Sequence, residues 1–165
     1  MRTLVVVESM WGNTRTVAEV VADGLGEDVP VLDVTDAPAV LPPDVVLLVV
    51  GGPTHAFSMS RASTRRDAVT QGAATARTER GIREWLDGLP PGDHVDVATF
   101  DTRVGSVRHL PGSAARAAAK QVRRHHLGHL VASESFYVAG SSGPLLDGEL
   151  RRGLEWGRSL AGARR

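Results

Sequence analysis

The chain has 165 residues, 42% of them apolar and 23% charged, which is the composition of one globular domain spanning residues 1–165. Its 19 basic and 19 acidic residues cancel, and it has no cysteine. The balanced charge argues against a basic surface that would bind nucleic acid across the whole domain. The absence of cysteine excludes disulfides, thiolate metal sites and a cysteine nucleophile. No basic-then-apolar leader is visible, and the longest apolar run, Val45–Val50, is too short to span a bilayer. We therefore expect a cytoplasmic location.

The first half of the chain predicts a strand, a helix and two further strands. Thr3–Val7 is a short apolar run, and a helix follows it with Val17, Val20, Val21 and Leu25 at helical spacing. Gly24 or Gly26 ends this helix. The next two predicted strands are Val29–Val34 and Asp44–Gly52.

The second half of the chain alternates helices and strands more regularly. The predicted elements in chain order are a helix at Thr78–Leu89, a strand at His94–Phe100, a helix at Gly112–Gly128, a strand at His129–Val138 and a helix at Leu146–Ala161. Ser113 is a good cap for the start of the second of these helices.

The order of these elements predicts a three-layer α/β sandwich. Asp44–Gly52 is unbroken and β-branched, as strands buried on both faces of a parallel sheet are. Strands that alternate with helices give right-handed crossovers, and five of them suit a parallel sheet in the order 2-1-3-4-5. The second crossover, Thr35–Asp44, contains three prolines and is expected to form at most one helical turn.

The stretch Glu8–Thr14 lies between the first strand and the first helix, where doubly wound sheets bind ligands. A helix N-terminus favours an anion, above all a phosphate. Ser9, Asn13 and Thr14 supply neutral donors, and Gly12 allows the backbone to close round a ligand. The Lys of a P-loop and the G-x-G-x-x-G dinucleotide pattern are both missing. The loop therefore suits a permanently bound phosphate, the alternative being a capped turn without a ligand.

The sequence "SMWGNTRTVAEVVADGL" resembles the phosphate loop and first helix of the flavodoxin family, whose pattern is [ST]-x-[ST]-G-x-T. It departs from the pattern at Trp11, and with an aromatic residue there it resembles the flavodoxin modules of flavo-diiron proteins. The resemblance continues through "GGPTHAFSMSR", "TFDTRV" and "GPLLDGEL" and covers essentially the whole chain. It implies a flavodoxin-like fold, FMN as the cofactor and electron transfer through the bound flavin.

The same resemblance implies the site residues. The phosphate would be held, largely by backbone N–H groups, at Ser9, Met10, Trp11, Gly12, Asn13 and Thr14. One side of the flavin ring would meet Pro53, Thr54, His55, Ala56 and Phe57. The other side and the pyrimidine edge would meet Phe100, Asp101, Thr102, Arg103 and Val104. A cation at Arg103 would favour the anionic reduced flavin, and neither an obligate acid–base side chain nor a metal is expected.

Three departures from the family shape the functional expectation. The aromatic pair that sandwiches the ring in many flavodoxins is replaced by His55 or Phe57 on one side and Phe100 on the other. Thr54–Ser60 contains no glycine, so a peptide flip to positive φ would cost about 1–2 kcal/mol more than at glycine. The neutral net charge weakens long-range steering of a partner. We expect weak one-electron stabilisation and a low affinity for the flavin.

The resemblance favours an electron-transfer flavoprotein over a dedicated oxidoreductase. Its partner would be a redox protein or a small electron acceptor, with NAD(P)H as a further candidate. One alternative is an NAD(P)H-dependent quinone reductase of related fold, and another is a flavin-free binding module that kept the fold. Arg61, Arg65 and Arg66 follow the third strand and are expected to lie on a solvated loop and helix start, the alternative being contact with a dinucleotide phosphate or an acidic partner.

Overall fold

The computed structural model describes residues 2–73 and 77–163. The strands are β1 (Arg2–Val7), β2 (Val31–Asp33), β3 (Val45–His55), β4 (Ser58–Met59), β5 (Asp96–Val104) and β6 (His129–Val138). The helices are α1 (Asn13–Leu25), α2 (Ala62–Thr70), α3 (Ile82–Gly88), α4 (Ala114–Arg124) and α5 (Glu149–Gly162). None of the helices in the described ranges is long and apolar enough to cross a membrane.

The sheet has the predicted topology. Its strands lie in the order β2-β1-β3-β5-β6, and all of these neighbours pair in parallel. Because β4 pairs only with β3, the five parallel strands taken in chain order follow 2-1-3-4-5, which confirms the prediction. The proline-containing crossover between β2 and β3 forms turns without a helix, as three prolines within ten residues dictate.

Helices cover both faces of the sheet. On one face, Trp85 and Leu86 of α3 and Val122 of α4 pack against β1 and β3. On the other face, α1 packs against β1 and β3, α5 packs against β6, and the two helices pack against each other. Gly24 and Gly157 lie at this helix contact, where an added Cβ would clash with a backbone oxygen of the opposite helix. Two glycines thus let α1 and α5 approach closely.

Two strands run further than predicted. The strand β3 continues to His55 and turns back into β4, through a two-residue turn in which Ala56 and Phe57 have φ of 47° and 62°. Positive φ at both central residues matches the twist of a tight hairpin. The strand β5 continues to Val104 because β6 pairs with it throughout this length. Residues 101–104, which lie beyond the predicted end of the strand at Phe100, are therefore its last four residues.

Helix α2 begins where the sequence predicted only a loop and a helix start without bounds, and the structure corrects the expected exposure of one arginine. Arg65 is 1% exposed instead of lying on a solvated loop. Its guanidinium donates to Ser60 Oγ at 2.9 Å and to both carboxylate oxygens of Glu84 at 3.2 and 3.1 Å. Ser60 Oγ also hydrogen-bonds to the buried carboxylate of Glu8. This network ties the end of β1 to α2 and α3, whereas Arg61 and Arg66 are exposed as expected.

Candidate functional site

A cavity of about 280 Å³ opens at the carboxyl ends of the parallel strands. It is bordered by the loop after β1, the end of β3, helix α2 and the ends of β5 and β6. The residues that line it are Met10, Trp11, Asn13, Thr14, Pro53, Thr54, His55, Ala56, Thr64, Asp67, Ala68, Gln71, Thr102, Arg103, Val104, Val138 and Ser141. Ligands of open α/β sheets bind at this position.

The N-terminus of α1 supplies hydrogen-bond donors beside the cavity. Gly12 precedes the helix with φ of 93°, a conformation that glycine adopts without strain. In the described part of the chain, the backbone N–H groups of Trp11, Asn13 and Thr14 donate to no protein acceptor. Such free N–H groups, together with the positive end of the helix dipole, suit a phosphate.

The polar side chains of this loop are largely committed to the protein itself. Ser9 Oγ accepts from the N–H groups of Gly12 at 3.1 Å and Arg15 at 3.3 Å. The buried hydroxyl of Thr14 lies 2.7 Å from that of Thr102. These bonds fix the loop against β5, so that the backbone donors keep their positions. Ser9 and Gly12 thus shape the loop without lining the cavity.

Helix α2 forms a wall that the sequence did not reveal. Met10 is buried against Ala68 and Ala73, and Trp11 packs on the same cluster while it lines the cavity. Trp11 therefore has a packing role as well as a place in the cavity wall. The cavity residues that were missed lie on α2 or near the end of β6 and comprise Thr64, Asp67, Ala68, Gln71, Val138 and Ser141.

His55 lies on the cavity wall as a neutral ring. Its Nδ1 is 3.0 Å from Thr64 Oγ1. Burial and the nearby charge of Arg65 lower the pKa of His55 below its ordinary value. The side chain therefore adds a flat, uncharged surface beside the end of β3.

Two predicted ring neighbours, Phe100 and Phe57, do not line the cavity. Phe100 is 1% exposed and packs edge-on against Phe136 and Trp156, because it is an inward residue of β5. Phe57 lies at the tip of the hairpin, 46% exposed. Among the described residues, Trp11 is the only Trp, Tyr or Phe that lines the cavity.

The end of β5 places one carboxyl and one guanidinium near the cavity. Asp101 is buried without lining it, and its Oδ2 accepts from the N–H of Ala115 at 2.8 Å, while its Oδ1 has no hydrogen-bond partner among the described residues. Burial raises the pKa of the Asp101 carboxyl. Arg103 lines the cavity and is 7% exposed, and its Nε likewise has no partner in the part of the chain that the structure describes. Within residues 2–73 and 77–163, no cluster of three or more His, Asp or Glu side chains could hold a metal ion.

Solved structures of known proteins share this fold. The chain is similar to a flavodoxin from the domain Archaea, with 19% identity, coverage of 99% of this chain and 98% of that one, and a TM-score of 0.61. It is also similar to flavodoxin 1 from Bacillus cereus, with 14% identity, 98% coverage of both chains and a TM-score of 0.67. A diflavin flavoprotein from Nostoc sp. gives 16% identity, 98% and 92% coverage, and a TM-score of 0.52.

These likenesses show that the chain has the flavodoxin fold, as the sequence resemblance implied. Because the identities are only 14–19%, the likenesses show the fold alone. No family model matches the sequence, and no curated protein matches it either.

Proposed function

We propose that this protein binds FMN in the cavity at the strand ends and transfers electrons through the bound flavin. The observation that carries the proposal is a single cavity lined by both the N-terminus of α1 and the end of β5 at Thr102–Val104. The free N–H groups of the helix suit a phosphate, and the end of β5 offers hydrogen-bonding and cationic groups to a polar ring edge. FMN carries both of these groups on one molecule.

The donor set at α1 fits a phosphate that stays bound. Free backbone N–H groups hold an anion without a lysine. The hydrogen bond between the Thr14 and Thr102 hydroxyls fixes the position of the loop against β5. The packing of Trp11 on α2 shields one side of the loop from water. The flavin supplies the redox chemistry, and the protein supplies binding, orientation and electrostatics.

The surface round the cavity supports short-range contact with an electron donor or acceptor. The protein has no net charge, so long-range steering of a charged partner is weak. The hairpin tip at Ala56 and Phe57 is exposed beside the cavity and offers an apolar contact. We propose a redox protein, a small electron acceptor or NAD(P)H as the partner.

One observation favours a second candidate, an NAD(P)H-dependent quinone reductase of related fold. Trp11 is the only Trp, Tyr or Phe on the described cavity wall, so residues 53–57 and 100–104 offer a bound flavin no ring larger than the imidazole of His55. A flavin face left open in this way is accessible to a nicotinamide or a quinone. Rapid oxidation of NADH or NADPH by the loaded protein with a quinone would favour this candidate over an electron carrier.

The proposal is tested by titrating the purified full chain with FMN and, separately, with riboflavin, which lacks the phosphate. Flavin fluorescence and visible absorption report binding. We expect FMN to bind at least about tenfold more tightly than riboflavin, because about 1.4 kcal/mol from the phosphate contacts suffices for that ratio. A protein that leaves the FMN spectrum and fluorescence unchanged would contradict the proposal and favour the flavin-free binding module.

A further inference from the structure

Arg103 is a buried cation whose guanidinium is only partly used by the protein. Its Nη2 donates to the carbonyl oxygens of Val107 and Leu110, both at 3.1 Å. Its Nε is buried and has no hydrogen-bond partner in the described structure. The side chain is 7% exposed and lines the cavity. A guanidinium held in this way has donor capacity left for a ligand.

The charge of Arg103 is not balanced by a carboxylate. Within the described ranges, no Asp or Glu oxygen lies within 4.0 Å of its nitrogens. Arg80 and Arg83 also donate to carbonyl oxygens, but these two side chains are partly exposed to water. A buried charge without a partner is costly for a protein. Among the arginines in the described ranges, only Arg103 combines this burial with a place on the cavity wall.

The other ionisable groups near the cavity differ from Arg103 in exposure or position. Asp67 lines the cavity but is exposed on α2, so water screens it. Asp101, two residues before Arg103 on β5, is fully buried but does not line the cavity. Burial raises the pKa of the Asp101 carboxyl, and the nearby charge of Arg103 lowers it. Burial lowers the pKa of His55 and so favours its neutral ring. The β5 wall of the cavity therefore carries a fixed positive charge at Arg103.

We propose that Arg103 recognises the ring of the bound flavin and binds its negatively charged, reduced form more tightly than its oxidised form. The inference rests on the proposed function, because it takes FMN as the ligand. A fixed positive charge in a poorly solvated wall stabilises any ligand form that gains negative charge. Oxidised FMN takes up two electrons and one proton to give the anionic hydroquinone, and in the test dithionite supplies the electrons.

The charge of Arg103 also bears on the expected weak stabilisation of the one-electron-reduced flavin. The same positive wall that favours the fully reduced anion gives no advantage to a neutral, one-electron-reduced ring. The protein then exchanges electrons mainly in pairs. Arg103 would set this preference as a recognition residue in contact with the cofactor.

The experiment compares the full chain with the variants Arg103→Gln, Arg103→Lys and Arg80→Gln. Dissociation constants are measured anaerobically for oxidised FMN, dithionite-reduced FMN and both redox forms of riboflavin. Arg80→Gln is the matched control, since it removes a carbonyl-binding guanidinium that does not line the cavity. Circular dichroism and urea unfolding establish that each variant is folded.

We expect the unmodified protein to bind reduced FMN more tightly than oxidised FMN, which places its midpoint potential above that of free FMN. Arg103→Gln should lose about tenfold more affinity for the reduced form than for the oxidised form, equivalent to about 30 mV for a two-electron couple. Arg103→Lys should keep most of the preference because it keeps the charge. Arg80→Gln should keep all of it, and riboflavin should show the same pattern as FMN.

Several results would overturn the inference. Equal losses for oxidised and reduced FMN in Arg103→Gln would reduce Arg103 to a general binding or structural residue. A loss that disappears with riboflavin would assign Arg103 to the phosphate instead of the ring. If Arg103→Gln does not fold, a midpoint potential of the unmodified protein below that of free FMN decides against the inference. Absence of FMN binding by the unmodified protein would overturn the proposed function itself, and this inference with it.

Discussion

Gly12 offers the sharpest test of the phosphate end of the cavity. It precedes α1 with φ of 93°, and no atom lies within 4 Å of the position that a Cβ would take. In Gly12→Ala, the added methyl group therefore meets no steric clash, and the cost is backbone strain alone. For an L-residue in this region, the strain is about 1–2 kcal/mol.

The consequence for binding follows from the backbone strain at residue 12. Gly12 is held by its N–H bond to Ser9 Oγ and by its carbonyl, which accepts from the N–H of Thr16. When the free variant relaxes towards negative φ, it strains these bonds and displaces the N–H groups of Trp11 and Asn13. Phosphate binding has to restore the original conformation. The dissociation constant for FMN should then rise roughly five- to thirtyfold, since 1.4 kcal/mol corresponds to a factor of ten.

Gly148 provides a matched control. It precedes α5 with φ of 84°, it too has no atom within 4 Å of an added Cβ, and it does not line the cavity. Gly148→Ala should destabilise the fold about as much as Gly12→Ala in urea unfolding, while FMN affinity stays unchanged. Riboflavin affinity should change little in either variant. An equal loss of FMN and riboflavin affinity in Gly12→Ala, or no loss for FMN, would refute this reasoning.

The remaining predictions concern the loop contacts, the hairpin and the histidine. Thr14→Val or Thr102→Val should each lower the free energy of unfolding by about 1–3 kcal/mol, because the buried hydroxyl left behind loses its partner. The double variant should lose less stability than the sum of the two single losses. Additive losses in urea titrations would argue against a hydrogen bond between the two hydroxyls. Ala56→Gly should stabilise the fold by about 1 kcal/mol by relieving positive φ, and an unchanged or lower unfolding midpoint would contradict the observed turn. His55 should titrate below 6.5 by NMR. Because the unfolded chain then binds the proton more readily, the stability due to neutral His55 is complete above pH 6.5 and falls as the pH drops through the folded pKa. His55→Gln should remove this part of the pH dependence, and a pKa at or above 6.5 would contradict the burial of the ring.

The sequence predicts the fold well because the strands are continuous apolar runs rich in β-branched residues. The run from Val45 to Gly52 is apolar and β-branched, and the strand His129–Val138 has the predicted bounds. Helix α2 carries no such signal, because its buried residues are Arg65 and Ala68 and no apolar stripe marks a helix. The pairing of a buried arginine with Glu84, nineteen residues away, depends on the tertiary structure alone.

The site is predictable only where one short segment forms it. The loop Ser9–Thr14 has a local composition that indicates a phosphate site, and the structure places it at the cavity. The α2 residues and Ser141 reach the cavity through the fold, so local composition could not identify them. Phe100 was predicted to lie beside the flavin because it is close to the strand end. In the structure it belongs to the core, where it packs against Phe136.

The central claim is that the loop at the N-terminus of α1 holds the phosphate of FMN. The most direct measurement is the ratio of the dissociation constants for riboflavin and FMN, measured on the purified full chain under one set of conditions. We expect FMN to bind at least about tenfold more tightly than riboflavin, and the flavin spectrum to stay with the protein through gel filtration. Equal affinities, or no binding of either flavin, would contradict it.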